Sequence, residues 1–305
     1  NRTPGVFAAV ALGAFIAVGL LYSWTRPPVC DEAYYAAPGR DLSENGSMGS
    51  PLLYSPGVKK FTRIEQNTYW TMPGSTIVQA FWYRLFGTSL FSLRCISVLA
   101  GAVILLSWAY LFRQLLGAFA ATTATVLLAF EFSLLNVATV GRADALGFAF
   151  AAPALAVYWR FRQSNLFLAL AGGNLLVALA AMTHPLAGIG GFIGLAVLFF
   201  NGARETFRPV HLTAIATPYA IVGGSWLMYV LQDWDAFKAQ FIENLRDRQT
   251  GRLGLVAITG EAKRYLEAFG FSPSMNPAHR VRLIQLFPVV AGFGLLVIRA
   301  FGDRF

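Results

Sequence analysis

The sequence predicts an all-α, polytopic transmembrane protein of about eight spans, and three observations carry that reading. Of 305 residues, 56% are hydrophobic and only 13% charged, against about 25% charged in a soluble domain. The mean hydropathy is +0.55. Apolar stretches near the roughly 20 residues that a helix needs to cross a bilayer recur along the chain. A disordered chain, a coiled coil and a nucleic-acid-binding domain are excluded at this step, so no nucleic-acid partner is expected and membrane lipids are. The net charge of +9 is read by position, as an orientation signal.

The expected spans lie near 5–23, 90–112, 117–138, 144–159, 166–182, 186–200, 211–231 and 285–301. The fourth and sixth are short, which suggests helices that end inside a cavity or below the interface. The first is not read as a cleavable signal peptide: Asn1-Arg2 is a weakly basic flank, and Arg26-Pro27-Pro28 follows where small residues would mark a cleavage site. The chain begins without Met, so residues are expected ahead of Asn1. With a cytoplasmic N-terminus, the inner loops hold Arg113, Arg160, Arg162, Arg204, Arg208, Arg299 and Arg304, whereas the short outer connections hold Arg142 and His184. That asymmetry obeys the positive-inside rule.

Two long outer loops result, 24–89 and 232–284. In the first, Gly39 to Pro56 is rich in Gly, Ser and Pro and reads as irregular chain. Ile77 to Phe86 is aromatic and amphipathic, as suits a helix lying in the interface. The second loop is expected to be helical near Asp235–Arg248 and Glu261–Phe269. All of 1–305 reads as one transmembrane domain, without internal repeats.

Ionisable residues at span ends are costly and therefore candidates for function. Three clusters fall on the outer face: Asp31-Glu32 after the first span, Arg142 and Asp144 between the third and fourth, and His184-Pro185 between the fifth and sixth. Each also has a structural reading. The adjacent acids suit a solvated loop, Asp144 a helix N-cap, Arg142 a side chain snorkelling to headgroups, and His184 a helix-end cap. Their convergence on one face favours chemistry. A carboxylate there serves as general base toward an acceptor hydroxyl or amine, while nearby cations stabilise a phosphate leaving group. Lys59, Lys60 and Arg63 would add to that phosphate field, or form a solvated charge run.

Four stretches carry a resemblance: Asp31-Glu32-Ala33-Tyr34-Tyr35-Ala36, the run from Phe81 to Arg94, Gly141-Arg142-Ala143-Asp144-Ala145-Leu146, and Ala180 to Leu186. Over residues 1–200 they resemble, in order and spacing, the GT-C glycosyltransferases of the protein O-mannosyltransferase and lipid A aminoarabinose transferase branch. Beyond 210 only hydropathy is similar. The resemblance implies a polyprenyl-phosphate-linked sugar donor, an unidentified glycan, lipid or protein acceptor, and inversion at the anomeric carbon. It implies Asp31 as the base, with Glu32 supporting it or contacting the donor. Arg142 and His184 would face the donor phosphate, Asp144 would orient Arg142 or bind the sugar, and Tyr35 belongs to the same motif. It also implies a bacterial inner membrane, with the site facing the periplasm.

This chain departs from the pattern at Tyr69-Trp70-Thr71-Met72-Pro73-Gly74, where relatives carry a basic residue and a Pro-Pro step, and at His184, where some carry Lys. Relatives continue beyond an eighth span, so a missing C-terminal part is expected. These departures motivate the alternative, a non-catalytic GT-C-like subunit of a larger membrane complex. No cofactor is expected. Asp233, Asp235 and Glu243 suit a divalent cation or a solvated helix face equally, and no obligatory metal is expected. Cys30 and Cys95 read as two small buried thiols, a disulfide being the other possibility.

Overall fold

The computed structural model describes residues 3–244 and 246, apart from 56 and 203–205. The expected span at 285–301, the helix at 261–269 and the arginines at 204, 299 and 304 lie outside them. Among the described residues every regular element is helical, as the apolar composition dictates: a backbone in hydrocarbon must satisfy its own hydrogen bonds.

Helix α1 (Thr3–Thr25) ends where Pro27 and Pro28 forbid its continuation. Helix α2 (Cys30–Glu44) follows almost at once. The expected irregular stretch therefore begins only at Asn45, because α2 runs through both Pro38 and Gly39. Gly39 is needed there for close approach, since a Cβ would lie 2.6 Å from the Gln79 side chain of α3. Two 3₁₀ turns, Pro51–Leu53 and Lys59–Phe61, occupy the loop that follows.

Helix α3 (Pro73–Phe86) starts with Pro at its first turn, where the missing N–H costs nothing. Its exposed apolar residues Ile77, Phe81 and Leu85 recur at intervals of four, the pattern of the expected interfacial helix. Helix α4 (Leu90–Leu116) is capped by the Ser89 hydroxyl, which accepts from the Ser92 amide. The third expected span is broken into α5 (Ala118–Ala129) and α6 (Phe132–Ala138), bent by 55°. Glu131 causes the break chemically: its carboxylate accepts from the Leu134 amide and so starts a new helix inside the apolar run.

Helix α7 (Ala143–Phe161) packs against α4, α8 and α9. Its buried face is largely alanine, which lets helix axes come close. Helices α8 (Leu166–Thr183) and α9 (Pro185–Gly202) are joined through His184 alone. With 19 and 18 residues, α7 and α9 are longer than the short spans expected there. Helix α10 (Val210–Val230) turns by 104° into α11 (Trp234–Phe237) and a π-helical segment, Lys238–Glu243. The single helix expected from Asp235 is thus two short pieces as far as Glu243.

Four helices are long and apolar enough to cross a membrane alone, α1, α4, α8 and α9, and up to six spans result if each bent pair counts as one. Helix α7 falls outside that number because Asp144 and Arg160 lower its hydropathy. The chain is an integral membrane protein, and its described residues, which include seven of the eight expected spans, supply four to six.

Candidate active site

The site is built on a buried ion pair. Glu32 lies in the first turn of α2 and Arg94 in the second turn of α4, and both side chains are 1% exposed. Arg94 Nε and Nη2 donate to the two Glu32 oxygens, each at 2.7 Å. The remaining guanidinium hydrogens reach the carbonyls of Ser23, Arg26 and Pro27 at the end of α1. Glu32 also accepts from the amides of Val29 and Gly141, each at 2.8 Å. All five guanidinium donors and both carboxylate oxygens are thereby used, the condition under which a buried pair is tolerated. Burial opposes the ionised form of Glu32, but Arg94 and the Gly141 and Val29 amides outweigh it and hold the carboxyl below its ordinary range.

This pair ties together four parts of the chain: the end of α1, the start of α2, α4 and the 140–142 connection. Gly141 is obligatory in that join, because a Cβ there would lie 2.3 Å from the Leu93 side chain. The flanking residues Asp31 and Arg142 are consequently held one peptide bond from a rigid anchor on either side.

Those flanking residues form an open cluster. Arg142 is the N-cap of α7. Its Nη1 donates to Asp31 at 3.1 Å and its Nε to Asp144 at 2.9 Å. His184 Nε2 lies 3.4 Å from the other Asp144 oxygen. The side chains of Asp31 and Arg142 are 42% and 39% exposed, so solvent and ligands reach both. Burial works against the charge on Arg142, but Asp144, Tyr35 and Asp31 outweigh it and raise its pKa. Only two of its five N–H bonds are given to these carboxylates, which leaves donor capacity for a phosphate.

An aromatic wall stands beside the cluster. The Tyr35 ring centroid is 5.7 Å from the Arg142 guanidinium carbon and 5.9 Å from the Trp70 ring. Among the described residues, Trp70 Nε1 and His184 Nδ1 are buried with no hydrogen-bond partner. His184 is held by close packing: a Cβ on Gly147 of α7 would lie 2.6 Å from the His184 Cβ. Gly74 at the start of α3 likewise abuts the Met182 carbonyl and the Thr183 hydroxyl.

The structure therefore brings together Asp31, Arg142, Asp144, His184 and Tyr35. Glu32 lies beside them, 1% exposed and paired with Arg94. Asp144 is the second residue of α7 and not its N-cap. Lys59 and Lys60 sit on an exposed turn, and Arg63 is paired with Asp233 at 2.7 Å. No contact seen among the described residues joins these three cations to the cluster. Sequence reasoning did not single out Arg94 and Trp70 as site residues. A charge within an apolar run signals a buried partner, and that signal was available for Arg94. Cys30 is exposed and, like Cys95, free. No group of three potential metal ligands occurs among the described residues; Asp233 instead caps α11.

A family model described as dolichyl-phosphate-mannose-protein mannosyltransferase matches residues 72–229, just over half of the chain. The match includes Arg94, Arg142, Asp144 and His184 and runs on through nearly all of α10. It begins after Asp31 and Glu32. No curated protein and no solved structure matches the chain.

Proposed function

The chain belongs to the family described as dolichyl-phosphate-mannose-protein mannosyltransferase, membrane glycosyltransferases of the GT-C type, and on that premise we propose that it transfers a sugar from a polyprenyl-phosphate donor, with Asp31 as general base. The observation that carries this reading is the Asp31–Arg142–Asp144 triad. It offers an accessible carboxylate and an arginine with unused donors, side by side at the end of a membrane helix.

The acceptor O–H or N–H approaches the anomeric carbon from the side opposite the phosphate and passes its proton to Asp31. The new bond forms at that carbon as the carbon–oxygen bond to phosphate breaks. The electron pair leaves on the phosphate, where Arg142, with His184 when protonated, offsets the charge. The anomeric centre is inverted, and polyprenyl phosphate is the second product. Asp144 holds Arg142 in place through Nε, and Glu32 acts on Asp31 only through the backbone. The partly apolar setting strengthens each interaction relative to water. Positive-inside asymmetry supports an outward-facing site, which in a bacterium is the periplasmic side of the inner membrane.

The test is native mass spectrometry of protein purified in mild detergent. A polyprenyl phosphate or its sugar conjugate, retained by wild type and lost from Arg142→Ala and His184→Ala, is the expected result and identifies the sugar. Retention of bulk phospholipid alone, unchanged in both variants, overturns the reading in favour of a non-catalytic subunit.

A further inference from the structure

The connection between α2 and α3 is tied down by the chain that follows α10. Gln240, in the π-helical segment, is 0% exposed. Its Oε1 accepts from the Tyr69 amide at 2.7 Å, and its Nε2 donates to the carbonyls of Thr62 and Asn67, each at 2.9 Å. The whole side-chain amide is therefore spent on the backbone of one segment, 62–69. Neighbouring groups close the same seam. The Tyr229 hydroxyl donates to the Thr68 carbonyl at 3.2 Å and the Tyr69 hydroxyl to the Tyr229 carbonyl at 3.3 Å, with the two rings 4.8 Å apart. Arg63, whose backbone has a φ of 54°, meets Asp233 at 2.7 Å. A π-helical turn is itself rare and recurs at functional sites.

This seam ends one residue short of the cluster. Trp70 follows Tyr69 directly, its ring lies 5.9 Å from that of Tyr35, and the Tyr35 centroid lies 5.7 Å from the Arg142 guanidinium carbon. Four residues on, Gly74 abuts the Met182 carbonyl and the Thr183 hydroxyl, immediately before His184. The stretch 70–74 thus runs from the arginine side of the cluster to the histidine side, fixed at its far end by α3 and at its near end by Gln240. Apolar packing of Tyr69 against Tyr229 and Phe237 holds the segment down. The three Gln240 bonds add its register along the chain, which decides where Trp70 falls. A buried backbone group without a partner is costly, so loss of these bonds favours a shifted segment over a bare one.

We propose that Gln240 is a positioning residue for the donor-phosphate site: by fixing the 62–69 segment it sets Trp70 against Tyr35 and Tyr35 against Arg142. The chain after α10 thereby governs donor affinity without touching the donor. The proposal rests on the donor reading above and adds the residue that holds the aromatic wall of that site in place.

Gln240→Met keeps the length of the side chain and removes all three bonds, whereas Trp70→Leu removes the wall and leaves them. Lys238→Ala, at an exposed position of the same π-helical segment, is the control. Undecaprenyl phosphate is titrated by native mass spectrometry. Gln240→Met and Trp70→Leu are each expected to weaken it about tenfold, and the double variant no further than the weaker single, because residues acting through one another are non-additive. In a transfer assay with the donor that copurifies with wild type, Gln240→Met should raise KM about tenfold while kcat stays within about twofold, the pattern of lost binding. Lys238→Ala should match wild type. Unaltered affinity in Gln240→Met overturns the proposal, as does a strictly additive double variant or a fall in kcat alone. Gln240→Glu, which keeps the Tyr69 bond and loses the two carbonyl bonds, carries the same readings if Gln240→Met fails to fold. Hydroxyl-radical footprinting of the ligand-free protein separates the positioning from the donor reading. Gln240→Met is expected to raise oxidation of Trp70 and Tyr35 and to leave Trp24 of α1 as in wild type. If wild type binds no undecaprenyl phosphate, the donor reading fails; raised oxidation then still upholds the positioning of the wall, and unchanged oxidation overturns it.

Discussion

Two arginine–carboxylate groups lie one peptide bond apart in this molecule and live under opposite conditions. Arg94 and Glu32 are sealed at 1% exposure with every polar atom matched. Asp31 and Arg142 are about two-fifths exposed with donors to spare. The difference teaches that adjacency along the chain does not confer a shared role. Burial turns the first pair into an anchor joining α1, α2, α4 and the 140–142 connection, while exposure leaves the second pair able to meet a ligand. The anchor supplies the stiffness that the open cluster, on its own, lacks.

The comparison is broken most directly by asking each pair to do the other's job. Asp31→Asn is expected to lower transfer by about a hundred- to ten-thousand-fold, the contribution of a positioned base, while unfolding in detergent shifts by about 1 kcal/mol or less, as for exposed ion pairs. A large loss of stability with turnover preserved would reverse the two roles. Arg94→Met leaves Glu32 buried and unpaired, and is expected to cost about 3–5 kcal/mol of unfolding free energy, read by chemical denaturation. A change within 1 kcal/mol would show that the buried pair anchors nothing.

A smaller effect sharpens the account of how the two pairs are joined. Gly141→Ala drives a methyl group into Leu93 and should cost about 1–3 kcal/mol, the range for overpacking. Adding Leu93→Ala should recover part of it, and a strictly additive double variant would exclude that contact as the cause.

The acid dependence of stability tests the anchor without removing it. The folded pKa of Glu32 lies below its ordinary value, so its ionic contribution is fully present above the ordinary carboxyl range. That contribution is lost as pH falls through the lowered folded value. The stability gap between wild type and Glu32→Gln should therefore narrow as pH is lowered through that window, and a gap constant with pH would contradict the assignment. The smallest effect is expected from Lys59→Ala and Lys60→Ala, which lie on an exposed turn and should change donor affinity less than about threefold, given the weak influence of screened surface charge.

Much of this architecture was legible because hydropathy and length decide which segments enter a membrane. The starts of α4, α8 and α9 follow from their apolar runs, and Ile77–Phe86 announced α3 by its amphipathic spacing. The C-terminal part of helix α2 was missed because the Gly-, Ser- and Pro-rich composition from Gly39 onward reads as irregular chain, whereas tertiary packing against Gln79 needs a glycine at that point. The break between α5 and α6 was missed because Glu131 looks like one tolerated charge and acts as a cap. Asp31, Arg142, Asp144 and His184 could be singled out as costly charges at span ends. The division of labour between Asp31 and Glu32 could not, since nothing local tells which neighbour Arg94 will bury from 62 residues away.

The most direct test of the central claim uses one preparation of Asp31→Asn and two readings. Native mass spectrometry reports whether the polyprenyl-phosphate donor found on wild type is still bound, and a single-turnover assay with that donor reports whether sugar leaves it. Donor retained and sugar untransferred is the outcome expected of a base beside an intact phosphate site. Transfer at the wild-type rate would contradict it, and would remove Asp31 from the chemistry.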